Sequence, residues 1–210
     1  LKGRVDFENL TLEFKELIDS KGILKKIKRV ILIGMGSSFN ACMLGAKYFE
    51  SLTKISSFAE NSSEFLYSEK IISDQDLVIA ITQSGETAET IRCIEKSKQY
   101  GCYTISIVEQ TISQASRISD ISISLNCGQE FAVAATKTFT SSLLLLYVLA
   151  LYISSELKII LKKELKILLP NLNQLPKLIG EIINNQEVYK KIANKIKSKN
   201  HLLYIGKGNM

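Results

Sequence analysis

Two uninterrupted apolar runs of strand length constrain the fold of this chain more than any other feature. They are VILI at residues 30–33 and LVIAI at residues 77–81. A strand with no polar side chain on either face is typical of a parallel sheet that helices cover on both sides. Less regular runs predict three further strands, at residues 54–60, 103–108 and 121–125. The last of these alternates apolar and polar residues, which favours an edge position.

Helical patterns lie between these strands, at about residues 38–53, 87–100 and 132–153. Strands that alternate with helices are joined by right-handed crossovers, which place helices on both faces of the sheet. The sequence therefore predicts an α/β fold, namely a doubly wound, flavodoxin-like parallel sheet of five strands.

The rest of the chain frames this unit. Residues 1–28 are predicted to form a helical lead-in, with a helix at about residues 6–20, and the α/β domain takes residues 29–153. Residues 154–200 carry only helical pattern, and we interpret them as a helical connector. Proline ends or kinks a helix, so we expect two breaks in this connector, at Pro170 and Pro176.

The C-terminal stretch HLLYIGKGNM, residues 201–210, has the same build as RVILIGMGSS, residues 29–38. In both, an apolar run leads through isoleucine into a Gly-x-Gly turn. We therefore predict a sixth strand from Leu202, and interpret residues 201–210 as the first strand of a truncated second α/β unit.

The excess of basic residues does not indicate a nucleic-acid partner, although the formal net charge is +6. Much of the lysine lies in the last third of the chain, interleaved with glutamate and isoleucine at helical spacing. That arrangement is typical of solvated helix faces, and it lacks the aromatic residues of a base-stacking platform.

The apolar run at residues 143–153 is shorter than the roughly 17–25 residues that span a bilayer. We expect neither nucleic acid nor membrane as a partner, and interpret this run as a core helix or a surface between subunits.

The histidine and cysteine residues do not indicate a metal site or a disulfide framework. The single histidine, His201, cannot supply a Ser-His-Asp arrangement within one domain or a histidine-based metal site. The cysteines form no C-x-x-C pair, which argues against a zinc site and is typical of free thiols in the reducing cytoplasm. We expect a cytoplasmic protein without a metal or cofactor. The cysteines are Cys42, Cys93, Cys102 and Cys127.

Two polar loops follow buried strands and open helices. GMGSSFN comes after the first strand, and TQSGETAET after the third. In a doubly wound sheet of order 2-1-3-4-5, these strands are neighbours whose crossovers leave to opposite faces. The crevice between their carboxyl ends is the topological switch point, where such folds bind ligands. The sequence therefore predicts a binding site between these two loops.

The residue types in these loops predict a phosphate ligand. Gly36 and Gly85 let the backbone approach closely, and two helix N-termini direct unpaired N–H groups toward one spot. Gln83 adds an amide, and five residues offer hydroxyl groups: Ser37, Ser38, Thr82, Ser84 and Thr87. Such a cradle suits a phosphate without a lysine. The alternative is that these hydroxyl groups are only helix caps, where serine and threonine are favoured anyway.

A dinucleotide site is a second alternative. Gly34-x-Gly36 follows a strand, and Glu60 ends the second strand, where a ribose-binding acid would lie. However, Phe39 stands where that fingerprint requires its third glycine, and the second polar loop would have no function.

Two further features of the loops need an interpretation. Glu86 would repel a phosphate, so we expect its carboxylate to point away and to complement the N-terminus of its own helix. The stretch FAVAATKTFTSS, residues 131–142, is rich in small residues and threonine. It indicates either close packing or a third loop that faces the ligand.

Three motifs, in this order and spacing, resemble the sugar isomerase (SIS) domain family: ILIGMGSSFNA, ITQSGETAETI and AVAATKTFTSS. Within that family they are most similar to the isomerase half of the glucosamine-6-phosphate synthases, the isomerizing glutamine–fructose-6-phosphate aminotransferases. The resemblance covers nearly the whole chain, and its Ser-Gly-Glu-Thr loop is specific for the family.

This resemblance implies roles for individual residues. It implies a phosphate held by Ser38, Thr82, Gln83, Ser84 and Thr87, with Ser37 nearby. It implies a sugar side formed by Met35, Gly36, the backbone of Val133, and Ala135. The family's synthases usually carry cysteine at position 35 and serine at position 135, so the resemblance leaves the exact sugar open.

The resemblance also implies an activity and an assembly. The family's synthases convert fructose 6-phosphate to glucosamine 6-phosphate with ammonia from glutamine, and we expect a homodimer. The glutamate, lysine and histidine that catalyse this reaction have no counterpart in this chain. We therefore expect it to bind fructose 6-phosphate or glucosamine 6-phosphate and to catalyse nothing alone. The alternatives are a non-catalytic SIS sensor or regulatory module and a fructosamine-phosphate deglycase.

Overall fold

The computed structural model describes residues 3–69, 71–131 and 134–206. A short antiparallel hairpin of β1 and β2 precedes a five-stranded parallel sheet of order β4-β3-β5-β6-β7. This order confirms the predicted doubly wound α/β fold and the edge position of its fifth strand. The strands are β1 (Val5–Asp6), β2 (Thr11–Leu12), β3 (Arg29–Gly34), β4 (Ser56–Asn61), β5 (Asp76–Ile81), β6 (Tyr103–Val108) and β7 (Ile121–Ser124).

The helices cover both faces of the sheet. After a 3₁₀ helix at Lys15–Ser20 they are α1 (Lys21–Leu24), α2 (Gly36–Thr53), α3 (Ser62–Tyr67), α4 (Ala88–Gln99), α5 (Gln114–Ile118), α6 (Lys137–Glu156), α7 (Lys162–Asn173), α8 (Leu175–Asn184) and α9 (Gln186–Ile196). Helices α2 and α6 pack on one face, and α3, α4 and α5 on the other. The predicted helices at residues 38–53 and 87–100 are confirmed to within two residues, whereas the third begins later than predicted.

The apolar run of β3 is explained by burial on both faces. Val30 and Leu32 contribute to the core under α2 and α6. Ile31 and Ile33, which alternate with them, contribute to the core under α3 and α4. Successive side chains of a strand point to opposite faces, so β3 is apolar on both faces because helices cover both.

An ion pair joins the first residues of β3 and β5. Arg29 and Asp76 are paired across these strands. The Arg29 Nε and Nη2 atoms each donate to an Asp76 carboxylate oxygen at 2.7 Å, and the Ser73 N–H donates to Oδ2 at 2.7 Å. The same register pairs Gly34 with Ile81 at the other end of the strands. Both strands therefore end at the same level, and their loops begin side by side.

The predicted helix at residues 6–20 is wrong. A hairpin forms instead, because the Asp6 side chain accepts the N–H groups of Glu8 and Asn9 at 2.9 and 3.0 Å and so closes a turn. Asp side chains compete with helical hydrogen bonding in this way. Only the 3₁₀ helix and α1 follow, and the ring of Phe14 ahead of them is fully buried.

The connector is helical as predicted, but only one of its two prolines marks a break. Pro176 lies in the first turn of α8, whereas Pro170 lies inside α7. The predicted break at Pro170 is therefore wrong. Leu165 and Leu169 are buried along one side of α7 and hold it to the domain. Proline has no N–H, so the carbonyl group of Lys166, four residues earlier, lacks its helical hydrogen-bond partner. Lys166 is exposed, so water can donate a hydrogen bond to that carbonyl group instead.

Residues 201–206 lie in neither a strand nor a helix, so the strand predicted from Leu202 does not form. A strand requires a neighbour that pairs its N–H and C=O groups, and no described residue pairs with this segment. Residues 207–210 lie outside the described residues. That this segment begins a second α/β unit stays a prediction.

Helix α6 has the length and hydropathy of a membrane span, the only such helix among the described residues. However, 61% of its most apolar stretch is buried inside the fold. Leu146 and Leu149 are fully buried against the sheet and α2. Gly45 of α2 makes room for Leu146, since a Cβ atom there would lie 2.6 Å from Leu146 Cδ1. For these residues the structure supports the interpretation of a core helix.

Candidate functional site

The two polar loops meet at the switch point of the sheet. Gly34 and Ile81 are paired, so Met35 and Thr82 begin neighbouring loops at one edge. The chain then enters α2 on one face and α4 on the other. This geometry confirms the predicted crevice, because the crossovers diverge between these two strands.

The first loop is a tight turn from strand to helix. A Cβ atom on Gly34 would lie 3.0 Å from the carbonyl carbon of Ser38 and 3.1 Å from the nitrogen of Phe39, so any larger residue would push the helix away. Gly36 has a φ of +54°, in the left-handed region that favours glycine. The N–H groups of Gly36 and Ser37 have no acceptor within α2, because these residues form its first turn. Unpaired N–H groups at the start of a helix are a common feature of anion sites.

The hydroxyl groups of the first loop do not cap their helix. The N-cap of α2 is Met35, and it makes no side-chain capping hydrogen bond. Its carbonyl group accepts the N–H groups of Ser38 and Phe39 at 3.1 and 3.3 Å. Ser37 is exposed and Ser38 is half-buried, and both line a pocket. The interpretation of these two serines as helix caps is therefore wrong.

The hydroxyl groups of the second loop hold the loop itself together. Thr82 Oγ1 and Thr87 Oγ1 are 2.9 Å apart, and the N–H of Gly85 donates to Thr82 Oγ1 at 3.3 Å. The N–H of Glu86 donates to Ser84 Oγ at 3.1 Å. Thr87 is the N-cap of α4 but makes no side-chain capping hydrogen bond. These hydroxyl groups thus fix the shape of the loop rather than the end of its helix.

Glu86 points away from the crevice, as predicted, but complements a different helix from the predicted one. Its Oε1 accepts the N–H of Gln114 at 2.8 Å, at the start of α5 rather than of α4. The reason is close packing of the loop on α5. The N–H of Ala115 donates to the Gly85 carbonyl oxygen at 3.0 Å, and Gly85, with a φ of +70°, leaves no room for a Cβ atom beside Ser113.

A third segment, residues 135–142, also lines the pocket, and its predicted role as a ligand-facing loop stays a prediction. The pocket has a volume of about 230 Å³. Each of the three loops contributes to its wall, as does the start of α6. The lining residues are Ser37, Ser38, Ile81, Gln83, Leu125, Glu130, Ala135, Thr138, Phe139 and Ser142.

Of the predicted site residues, the pocket brings together Ser37, Ser38, Gln83 and Ala135. Met35, Gly36, Thr82, Ser84 and Thr87 lie in the same two loops without lining this pocket, and their predicted ligand contacts stay predictions. Val133 lies outside the described residues.

Glu130 is the charged pocket residue that sequence reasoning missed. Its Oε2 accepts the N–H groups of Thr136 and Thr138, each at 3.1 Å, and the Thr138 hydroxyl group at 2.9 Å. The N–H of Thr138, followed by its hydroxyl group and the N–H of Thr136, holds the pKa of Glu130 below its usual value. An acidic residue ahead of a helix is a weak signal in sequence. Its place in the pocket depends on contacts with Thr136 and Thr138, which the sequence pattern does not show.

The described residues offer no evident site for a metal ion, since no group of three or more His, Cys, Asp or Glu side chains comes together among them. The pocket is also smaller than the roughly 300–1,000 Å³ of sites for drug-sized ligands. Its size fits a small polar molecule better than a dinucleotide.

A doubly wound parallel sheet with a small polar pocket at its switch point defines the class of this protein, an α/β domain whose pocket lies where such folds bind their ligands. The chain belongs to the SIS domain family, whose model matches residues 23–152.

Relatives of known sequence and structure agree with this assignment. Isomerizing glutamine–fructose-6-phosphate aminotransferases are 36% identical in Thermococcus kodakarensis, over 86% of this chain and 30% of that protein. In Thermotoga maritima the identity is 34%, over 99% of this chain and 34% of that protein. The C-terminal domain of glucosamine-fructose-6-phosphate aminotransferase from Francisella tularensis superposes with a TM-score of 0.89 at 26% identity, over 96% of this chain and 56% of that one. This chain thus spans about a third of the length of the curated relatives named here.

Proposed function

We propose that this chain is the sugar-phosphate-binding domain of an isomerizing aminotransferase that makes glucosamine 6-phosphate from fructose 6-phosphate and glutamine-derived ammonia. The observation that carries the proposal is the meeting of Ser37, Ser38 and Gln83 in one pocket at the N-terminus of α2. The relatives' names supply the reaction, and the SIS family supplies the ligand class.

The binding chemistry follows from the pocket. Two N–H groups at the start of α2 and the positive end of its dipole attract the phosphate, and the serine hydroxyl groups and the Gln83 amide donate hydrogen bonds to its oxygens. Because these donors belong to rigid strand ends, the phosphate would fix the position of the sugar carbons for the reaction.

The first test is calorimetric titration with fructose 6-phosphate and glucosamine 6-phosphate side by side. We expect both to bind, inorganic phosphate to compete, and glucose without phosphate not to bind. A chain that binds neither sugar phosphate would contradict the proposal. A clear preference between the two sugars would show what Ala135 does to the sugar side of the pocket.

Ser38→Ala should weaken binding of glucosamine 6-phosphate by removing one donor to a charged oxygen. Such a hydrogen bond contributes about 1.5–3 kcal/mol, so we expect the Kd to rise by about 10–100-fold. The matched control is Ser51→Ala, at the other end of α2, where the exposed hydroxyl group donates only to the Tyr48 carbonyl oxygen at 3.1 Å. Equal Kd values for the two variants would remove Ser38 from the site.

We propose further that this chain alone does not turn the sugar over. Isomerization requires a group that takes a proton from one carbon and returns it to the next. Glu130 is the only titratable side chain among the described residues that line the pocket. Hydrogen bonds from Thr136 and Thr138 hold its Oε2 atom and lower its pKa, which makes it a weak base for this step. Isomerase activity of the purified 210-residue chain would contradict this.

A homodimer in a reducing compartment is the assembly that we propose. An apolar groove of about 640 Å³ runs between α6 and α8, where Tyr147, Leu175 and Ile179 line it, and it offers a surface that a second copy could cover. The four cysteines are free thiols, which supports a reducing compartment. Light scattering in solution should give twice the mass of the chain, and a monomer at all concentrations would contradict the dimer.

A further inference from the structure

Glu130 holds an unusual position, because it stabilises the third loop and also faces the pocket. The carboxylate accepts N–H groups at the start of α6, where the N-cap residue Thr136 makes no capping hydrogen bond with its own side chain. The same half-buried side chain lines the pocket together with Ser37, Ser38 and Gln83.

The two carboxylate oxygens of Glu130 have different surroundings. Oε2 accepts three hydrogen bonds, from the N–H groups of Thr136 and Thr138 and from the Thr138 hydroxyl group. Oε1 has one long contact, 3.5 Å from the Thr136 hydroxyl oxygen. An ionised carboxylate accepts about four hydrogen bonds and donates none. Oε1 therefore retains the capacity to accept from a hydroxyl or ammonium group of a ligand.

No cation in the pocket balances this carboxylate. Among the described residues that line the pocket, Glu130 alone carries a charge. Lys137 is the nearby base, and its charge is one of the smaller causes that lower the pKa of Glu130. Its ammonium group nevertheless lies outside the pocket, 5.5 Å from the centre of the Phe131 ring, and Lys137 lines a neighbouring groove with Ile179 and Ile183. The pocket is thus polarised, with N–H donors at the start of α2 and an anion on the third loop.

This polarity dictates how a sugar phosphate would lie. Its phosphate would bind at the start of α2 and its other end would face Glu130, since the reverse orientation would bring two anions together. We propose that Glu130 determines specificity, admitting sugar monophosphates whose far end is neutral or carries an ammonium group and excluding those with a second anionic group there. The inference rests on the proposed function and deepens it.

The test compares two open-chain ligands that differ at one carbon. Glucitol 6-phosphate ends in a neutral CH₂OH group, whereas 6-phosphogluconate carries a carboxylate at the same position. Repulsion between like charges a few ångströms apart in a partly buried site is expected to disfavour the second ligand by about tenfold or more. In Glu130→Gln the two Kd values should converge, chiefly because 6-phosphogluconate binds more tightly.

Glu86→Gln is the matched control, because Glu86 also accepts an N–H at a helix start but does not line the pocket. In Glu86→Gln the ratio of the Kd values for glucitol 6-phosphate and 6-phosphogluconate should equal that of the wild type. Binding of inorganic phosphate shows whether each variant keeps an intact pocket. If the wild type binds both ligands equally, or if Glu130→Gln keeps the wild-type ratio, the specificity role is wrong while the proposed function stands. If the wild type binds neither ligand nor phosphate, both are wrong.

Discussion

Gly85→Ala should unfold the second loop and abolish sugar-phosphate binding. The substitution combines two costs. An alanine at a φ of +70° costs about 1–2 kcal/mol. Its methyl group would also overlap the Ser113 side chain, and forced overpacking costs typically 1–3 kcal/mol. We expect the free energy of unfolding to fall by about 2–5 kcal/mol in a chemical denaturation experiment. Because Gln83 lies two residues away, its amide would also leave the pocket.

Two variants separate these costs. Gly128→Ala places the same methyl group at a φ of +74° with no atom within 4 Å, so it should lose only the conformational part. Gly85→Ala combined with Ser113→Gly removes the overlapping side chain and should recover part of the loss. If Gly85→Ala and Gly128→Ala lower the free energy of unfolding equally, packing against α5 does not stabilise the second loop.

Arg29→Met should cost about 2–4 kcal/mol of unfolding free energy, because it leaves a buried carboxylate without its partner. Asp76 is buried, and Arg29 supplies two of its three hydrogen bonds. Arg29 itself is about one-third exposed, so water replaces part of the lost interaction and the full 3–5 kcal/mol of a buried pair is not expected. The measurement is again chemical denaturation.

The control for this pair is Lys21→Met, since Lys21 forms an exposed ion pair with Glu156 at 3.0 Å. Exposed pairs contribute about 0–1 kcal/mol, so little change is expected. Replacing both Arg29 and Asp76 by apolar residues should recover most of the stability, because no charge is then left unpaired. The folded fraction of Arg29→Met should bind sugar phosphate as the wild type does. A weaker Kd would mean that this pair aligns the loops as well as the strands.

The sheet could be predicted from sequence because its determinants are local and repetitive. Apolar runs such as residues 77–81 can be buried on both sides only within a covered sheet, and the connecting helices then fix its order. The switch point follows from that order, so the sequence alone assigns both loops to one crevice.

The parts that sequence could not predict depend on contacts between distant segments. The hairpin near Asp6 competes with a helical pattern, and the buried Phe14 ring, whose centre lies 5.1 Å from that of Tyr152, favours the observed packing. Glu86 complements α5 because Gly85 packs on Ser113, which no local pattern indicates. Likewise α7 continues through Pro170, because buried leucines before and after the proline hold the helix against the core.

The central claim is that an anion binds where β3 and β5 continue into their helices. Amide chemical shifts of the ¹⁵N-labelled chain during titration with glucosamine 6-phosphate test it most directly. We expect saturable shifts at Gly36, Ser37 and Ser38 in the first loop and at Gln83 in the second. Shifts confined to another cavity, such as the one lined by Arg4, Ser124 and Asn126, with those four amides unchanged, would contradict the account.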